Sequence, residues 1–160
     1  MTWSGAGPGV AIAASALTVL ATLLGGCGDD GGGEAATAGA LTVTDGWMRP
    51  TAPFASVAAV YFVVENGGET ADRLVAAASD RCPTIQLHRS ELVGDTARMR
   101  EVGPDDLEIG PGESLAFEPS GFHVMCLGFD GPFVAGETAR LALSFAEAGE
   151  VEITVSVEDR

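Results

Sequence analysis

From Leu41 onward the chain is cut into short apolar or alternating segments by Gly, Pro, Asp and Asn. The breaks fall at Asn66-Gly67-Gly68, Gly94-Asp95, Gly103-Pro104-Asp105, Gly110-Pro111-Gly112, Pro119-Ser120-Gly121, Asp130-Gly131-Pro132 and Ala148-Gly149. Almost no segment between them carries a helical period, so this pattern predicts an all-β sandwich or barrel. The expected strands are Leu41–Thr44 running on to Trp47, Ser56–Val64, Arg73–Ala78, Thr84–Ser90, Ala97–Val102, Ser114–Glu118, Phe122–Phe129, Ala139–Phe145 and Val151–Val157. The last two alternate cleanly: Leu141, Leu143 and Phe145, then Val151, Ile153 and Val155, each set presenting one apolar face. There is no internal repeat and no sign of a second domain.

The N-terminal 27 residues carry no charged side chain, and Val10 to Leu24 is almost wholly apolar. That length suits an export segment and falls short of the roughly 20 residues of a membrane-spanning helix. It ends in Leu24-Gly25-Gly26-Cys27, which resembles a bacterial lipobox, with Cys27 as the lipidated residue. Residues 28–40, small and acidic, read as a flexible tether. Residues 41–160 are long enough for one domain with its own core. The expected setting is therefore the outer face of the cytoplasmic membrane, on the periplasmic or cell-wall side, with the membrane engaged through the lipid anchor.

All 23 acidic and 8 basic side chains follow Cys27, so the formal net charge of −15 belongs to the exported part. Such a surface excludes nucleic acid as a partner, because phosphate binding needs basic groups. Cys82 and Cys126 remain after Cys27 is lipidated; in an oxidising compartment an even pair favours a disulfide. Two separate buried thiols, or Cys126 as a metal-bound thiolate, are the alternatives.

The scarce residues point to chemistry. The chain has two histidines and three methionines besides the initiator, and four of these five fall in one pattern: His88, ten residues, Met99, then His123-Val124-Met125. Imidazole and thioether donors suit a soft monovalent ion, above all Cu(I), and suit Zn²⁺, Mg²⁺ or Ca²⁺ poorly. A tight turn centred between Val93 and Gly94 would set His88 directly opposite Met99, with Cβ atoms on the order of 5 Å apart. A turn at Gly94-Asp95 would instead set His88 opposite Arg100 or Glu101. His123 and Met125, two apart on a strand, leave the same face. Each residue also has a plain reading: the methionines as core filler, the histidines as surface polar groups. Trp47 and Met48 lie at a strand end, either packed in the core or on the rim of the site.

Leu87-His88, Met99-Arg100-Glu101-Val102, Ile109-Gly110-Pro111-Gly112 and Gly121-Phe122-His123-Val124-Met125-Cys126-Leu127-Gly128 resemble the PCuAC family of extracytoplasmic copper chaperones. Asp45-Gly46-Trp47-Met48-Arg49 and Ala58-Ala59-Val60-Tyr61 also look like that family's opening strands. The resemblance covers nearly all of Leu41 to Val157. It implies a cupredoxin-like Greek-key β-sandwich and one Cu(I) ion held at an exposed site. The copper ligands fall on His88, Met99, His123 and Met125. It further implies a monomeric, non-enzymatic carrier that delivers copper to an apo-metalloprotein such as the Cu_A subunit of cytochrome c oxidase. Twenty-three residues separate Met99 from His123, slightly more than the family's usual spacing, and a loop near Gly103–Asp106 would absorb the difference. Three other readings compete: a metal-independent structural or interaction lipoprotein, a copper storage or resistance protein, and a blue-copper electron carrier. The last needs a Cys ligand beside the histidines, whereas Cys126 would point away from His123 and Met125 on an extended strand.

Overall fold

The computed structural model describes residues 1–2 and 34–160. The apolar segment Val10–Leu24, Cys27 and the first residues of the tether lie outside the described residues. Eleven strands account for most of the domain: β1 (Ala36–Ala38), β2 (Leu41–Met48), β3 (Val57–Asn66), β4 (Asp72–Ala78), β5 (Thr84–Val93), β6 (Thr96–Glu101), β7 (Glu108–Ile109), β8 (Ser114–Phe117), β9 (Phe122–Leu127), β10 (Thr138–Phe145) and β11 (Gly149–Val157). Among the described residues a single 3-10 turn, Pro104–Asp106, occupies the loop expected near Gly103–Asp106.

All nine expected strands form. β5 runs on to Val93, and two short strands, β1 and β7, escaped the sequence reading. β1 lies inside residues 28–40, the stretch that composition assigns to a tether. It pairs with β2 (Ala38 opposite Leu41, Ala36 opposite Val43) across the two-residue loop Gly39-Ala40. Small residues give it no alternating signature, and only the buried Ala38 marks its inner face. The ordered domain therefore begins before Leu41.

The strands follow the order β6-β5-β9-β8-β3-β2-β11-β10-β4-β7, with β1 added to β2 and β9 also pairing with β3. Most neighbours are antiparallel; β11 with β2 and β8 with β9 are parallel. β3 is long enough to serve two partners. Val57–Val60 pairs with β9, and Phe62–Glu65 pairs with β8.

Alternation puts one face of most strands into a single core, β6 being exposed on both faces. Leu141 pairs with Ile153 and Leu143 with Val151, all nearly inaccessible. Leu87, Val124 and Cys126 from the other end of the sheet join the same cluster as Leu74, Phe62 and Val155. Met48 is 1% exposed and belongs to this core. Trp47, one residue earlier, takes the opposite face and packs on Tyr61 at 4.6 Å between ring centroids.

Candidate metal site

The face of interest is the outer side of β6, β5 and β9, opposite the core. β5 is the middle strand of the three. On β9, Val124 and Cys126 are fully buried inward, so His123 and Met125 take the outer side. On β5, Leu87 points to the core and His88 outward.

The register decides which ligand candidates meet. β5 and β6 are joined by Gly94-Asp95, with Val93 opposite Thr96. Gly94 has φ +63, and glycine at the first central position of a two-residue loop is the type II′ hairpin arrangement, whose twist fits the strands. This turn places Glu101 opposite His88 and Ser90 opposite Met99. The expectation that His88 directly opposes Met99 is therefore corrected. The turn lies one residue further along, because glycine takes the positive φ most easily. Met99 keeps the same face as His88 but sits diagonally, at a separation of about 7–8 Å between such positions, within reach of a long side chain.

The direct pairing falls elsewhere. β9 runs antiparallel beside β5, and His88 is opposite His123. Their rings lie edge to face with centroids 5.9 Å apart. Two imidazoles each bonded at about 2 Å to one ion keep their centroids on the order of 6 Å apart or less. The observed spacing fits a shared ion. Met125 occupies the next same-face position of β9, opposite Gln86 on β5 and Ala59 on β3.

The two histidines differ in their surroundings. His123 is 3% exposed, and its Nδ1 lies 3.2 Å from the carbonyl of Gly121. A carbonyl can only accept, so Nδ1 carries the proton and Nε2 keeps its lone pair free for a metal. Burial pushes the His123 pKa below its ordinary value, assisted by nearby His88 and opposed by the Gly121 hydrogen bond. The neutral imidazole, the form that binds metal, is the favoured one. His88 is half-buried, and its Nδ1 is enclosed without any hydrogen-bond partner among the described residues. An enclosed nitrogen with no partner is costly unless something fills the gap. Met99, by contrast, is 64% exposed on the protruding hairpin. The site thus grades from buried at His123 to open at Met99.

Among the described residues no three His, Cys, Asp or Glu side chains gather into a metal cluster. The soft donors that share this face with the two histidines are the thioethers of Met99 and Met125. Cys126 is not available, since it points into the core and is bonded to Cys82, S–S 1.95 Å and Cα–Cα 5.2 Å. That removes the thiolate that a blue-copper centre requires. The sequence reading missed the Gly121 carbonyl, and it offered Glu101 opposite His88 only as the alternative that a Gly94-Asp95 turn would give. A backbone acceptor leaves no mark in the sequence, and the choice between the two turns needed the observed register.

Comparison with known proteins places the chain. The Leifsonia xyli subsp. xyli (strain CTCB07) protein described as putative lipoprotein Lxx21020 is 29% identical over 150 residues, covering 90% of this chain and 89% of that one. The apo PCuAC domain from PmoF1 superposes with a TM-score of 0.66 at 23% identity, over 79% of this chain and 100% of the other. The copper-bound PCuAC domain from PmoF2 gives 0.64 at 23% identity, over 79% and 99%. CuI-DR1885 from Deinococcus radiodurans gives 0.56 at 22% identity, over 78% and 80%. The fold is accordingly the cupredoxin-like fold of PCuAC domains. Residues 41–157 match the family described as putative lipoprotein LpqE-like, and the chain belongs to that family.

Proposed function

We propose that this protein is an exported, lipid-anchored copper chaperone that carries one Cu(I) on its β6-β5-β9 face. His88 and His123 supply the imidazole donors, and Met99 and Met125 the thioethers. Copper is cargo here, bound and released by ligand exchange with no chemical turnover, so the protein is not an enzyme. The observation that carries this reading is the direct His88–His123 pairing at 5.9 Å, with the enclosed His88 Nδ1 left unpartnered. Neutral imidazole and thioether are soft donors that keep working in an oxidising, mildly acidic compartment, where a thiolate is oxidised or protonated. Copper-bound domains of the same fold support the choice of metal.

The open end of the site suits handover. An acceptor's ligands approach at Met99, where the side chain is already in solvent, while His123 holds the ion from within. The acceptor in this proposal is an apo-metalloprotein at the membrane, such as the Cu_A-bearing subunit of cytochrome c oxidase. Cys27 serves as the lipid attachment. Anchoring raises the effective concentration of a membrane-bound acceptor.

Titration with Cu(I) under reducing conditions, in competition with a coloured chelator, is expected to give one equivalent bound. Stoichiometric binding that persists in the His88→Ala, Met99→Ala double variant would overturn the ligand assignment. Loss of oxidase activity in a deletion strain is the expected sign of delivery; lost copper tolerance with normal oxidase would indicate storage instead.

A further inference from the structure

A second feature lies on the same outer face, on the β3 side of Met125, which is opposite Ala59. A surface cavity of about 270 Å³ is lined by Arg49, Thr51, Val57, Ala59 and Tyr61, together with Pro50 and further alanines. No carboxylate lines it, in a chain with 23 acidic residues and 8 basic ones. Arg49 is also unusual among the eight arginines. Six of them pair with an Asp or Glu side chain, whereas Arg49 and Arg98 have no such side-chain partner among the described residues. Arg49 gives one guanidinium N–H to the main-chain oxygen of Arg160, the last residue of the sequence, at 3.2 Å and lies 5.9 Å from the Trp47 ring. Its other donors have no protein acceptor among the described residues.

Two hydroxyl-bearing residues, Tyr61 and Thr51, share the lining. Tyr61 is 8% exposed, its ring packed on Trp47, and its hydroxyl makes no hydrogen bond among the described residues. Thr51 is pinned, its Oγ1 accepting from the Phe133 N–H at 2.9 Å and its own N–H donating to the Phe133 carbonyl. That leaves the Thr51 hydroxyl hydrogen to be donated elsewhere. Burial raises the Tyr61 pKa, the Arg49 charge opposing it, so the phenol remains a donor.

We infer that this cavity binds a small aliphatic carboxylate. The planar fork of Arg49 takes the carboxylate oxygens, Tyr61 and Thr51 donate to them, and a short hydrocarbon chain lies against Ala55 and Val57. A phosphate fits less well, because some of its oxygens would face alanine methyls with no donor. This inference does not depend on copper, since none of the four proposed ligands lines the cavity.

The test follows backbone amide signals of the full, copper-free chain by NMR while sodium butyrate replaces sodium chloride at constant ionic strength. Saturable shifts at Thr51, Ala59 and Tyr61 are expected. Arg49→Gln is expected to weaken binding about tenfold and Tyr61→Phe about fivefold. An unchanged response in a folded Arg49→Gln variant overturns the inference. So does an equal set of shifts from butylammonium chloride in the unmodified chain, an arm that needs no variant to fold.

Discussion

At the scale of single residues, the two ends of the candidate site make different predictions. His123 is enclosed and oriented by Gly121, whereas Met99 stands in solvent. Under the copper reading, Met99→Ala is expected to weaken Cu(I) by about one order of magnitude, and His123→Ala by about two or more. Chelator competition on both variants checks this, and equal losses would count against a graded site. A second residue concerns stability alone. Asp72, 7% exposed, accepts the N–H groups of Arg73 (2.7 Å), Glu147 (3.0 Å) and Ala148 (2.9 Å), clamping the start of β4 to the β10–β11 turn. Burial pushes its pKa up, but the N–H groups of Glu147, Arg73 and Ala148 outweigh burial and hold it below the ordinary carboxylate value. A group depressed in the folded state stabilises it above about pH 4, and that contribution fades as pH falls through the folded value. Asp72→Ala is expected to cost about 2 kcal/mol near neutrality, and its deficit relative to the parent should shrink in acid. Urea melts at pH 7 and pH 3 measure it. The identity of the candidate ligands was legible because His and Met are so few. The His88–His123 contact was not, because spacing along one chain says nothing about which strand lies beside β5.

Among elements, the β5–β6 hairpin and the β2 bulge show where local sequence decides geometry. The alternating runs of β10 and β11 were readable because each buries one face, and a one-residue slip would expose all of it. The hairpin tip has no such constraint. Residues 92–101 are exposed on both faces, so hydrophobic patterning could not fix the register and turn chemistry alone did so. β1 and β7 were missed for a related reason: at three and two residues they are too short to show a period. In β2 the register against β3 shifts between Thr44 and Trp47, around Asp45-Gly46. A Cβ on Gly46 would sit 2.7 Å from the Thr154 carbonyl oxygen, part of the backbone and unable to turn aside. Gly46→Ala is therefore expected to cost about 1–3 kcal/mol. Thermal unfolding of the variant checks this, and a melting temperature equal to the parent's would show that β2 and β11 can separate without penalty.

Across the whole molecule, the Cys82–Cys126 bond joins the approach to β5 with the end of β9, the two strands that carry His88 and His123. It closes a span of 44 residues. A loop of that length is worth about 4 kcal/mol by chain entropy. Melting in the presence of a strong reductant, or of the Cys82→Ser, Cys126→Ser variant, is expected to show a loss of that size. An unchanged melting temperature would mean that the sheet alone sets the stability. The fold as a whole was more legible than the site, since strand patterning accumulates over many residues while a contact depends on one register. The position of β6 at the outer end of the strand order carries one more consequence. The two imidazoles ride on adjoining strands laced by main-chain bonds on both sides, like rivets in a plate. Met99 rides on the border strand, fastened along one seam only. If copper is the cargo, three of its moorings, Met125 included, are fixed and one can peel away. Unloading would then need only the lifting of a hem, with the rest of the fabric left intact.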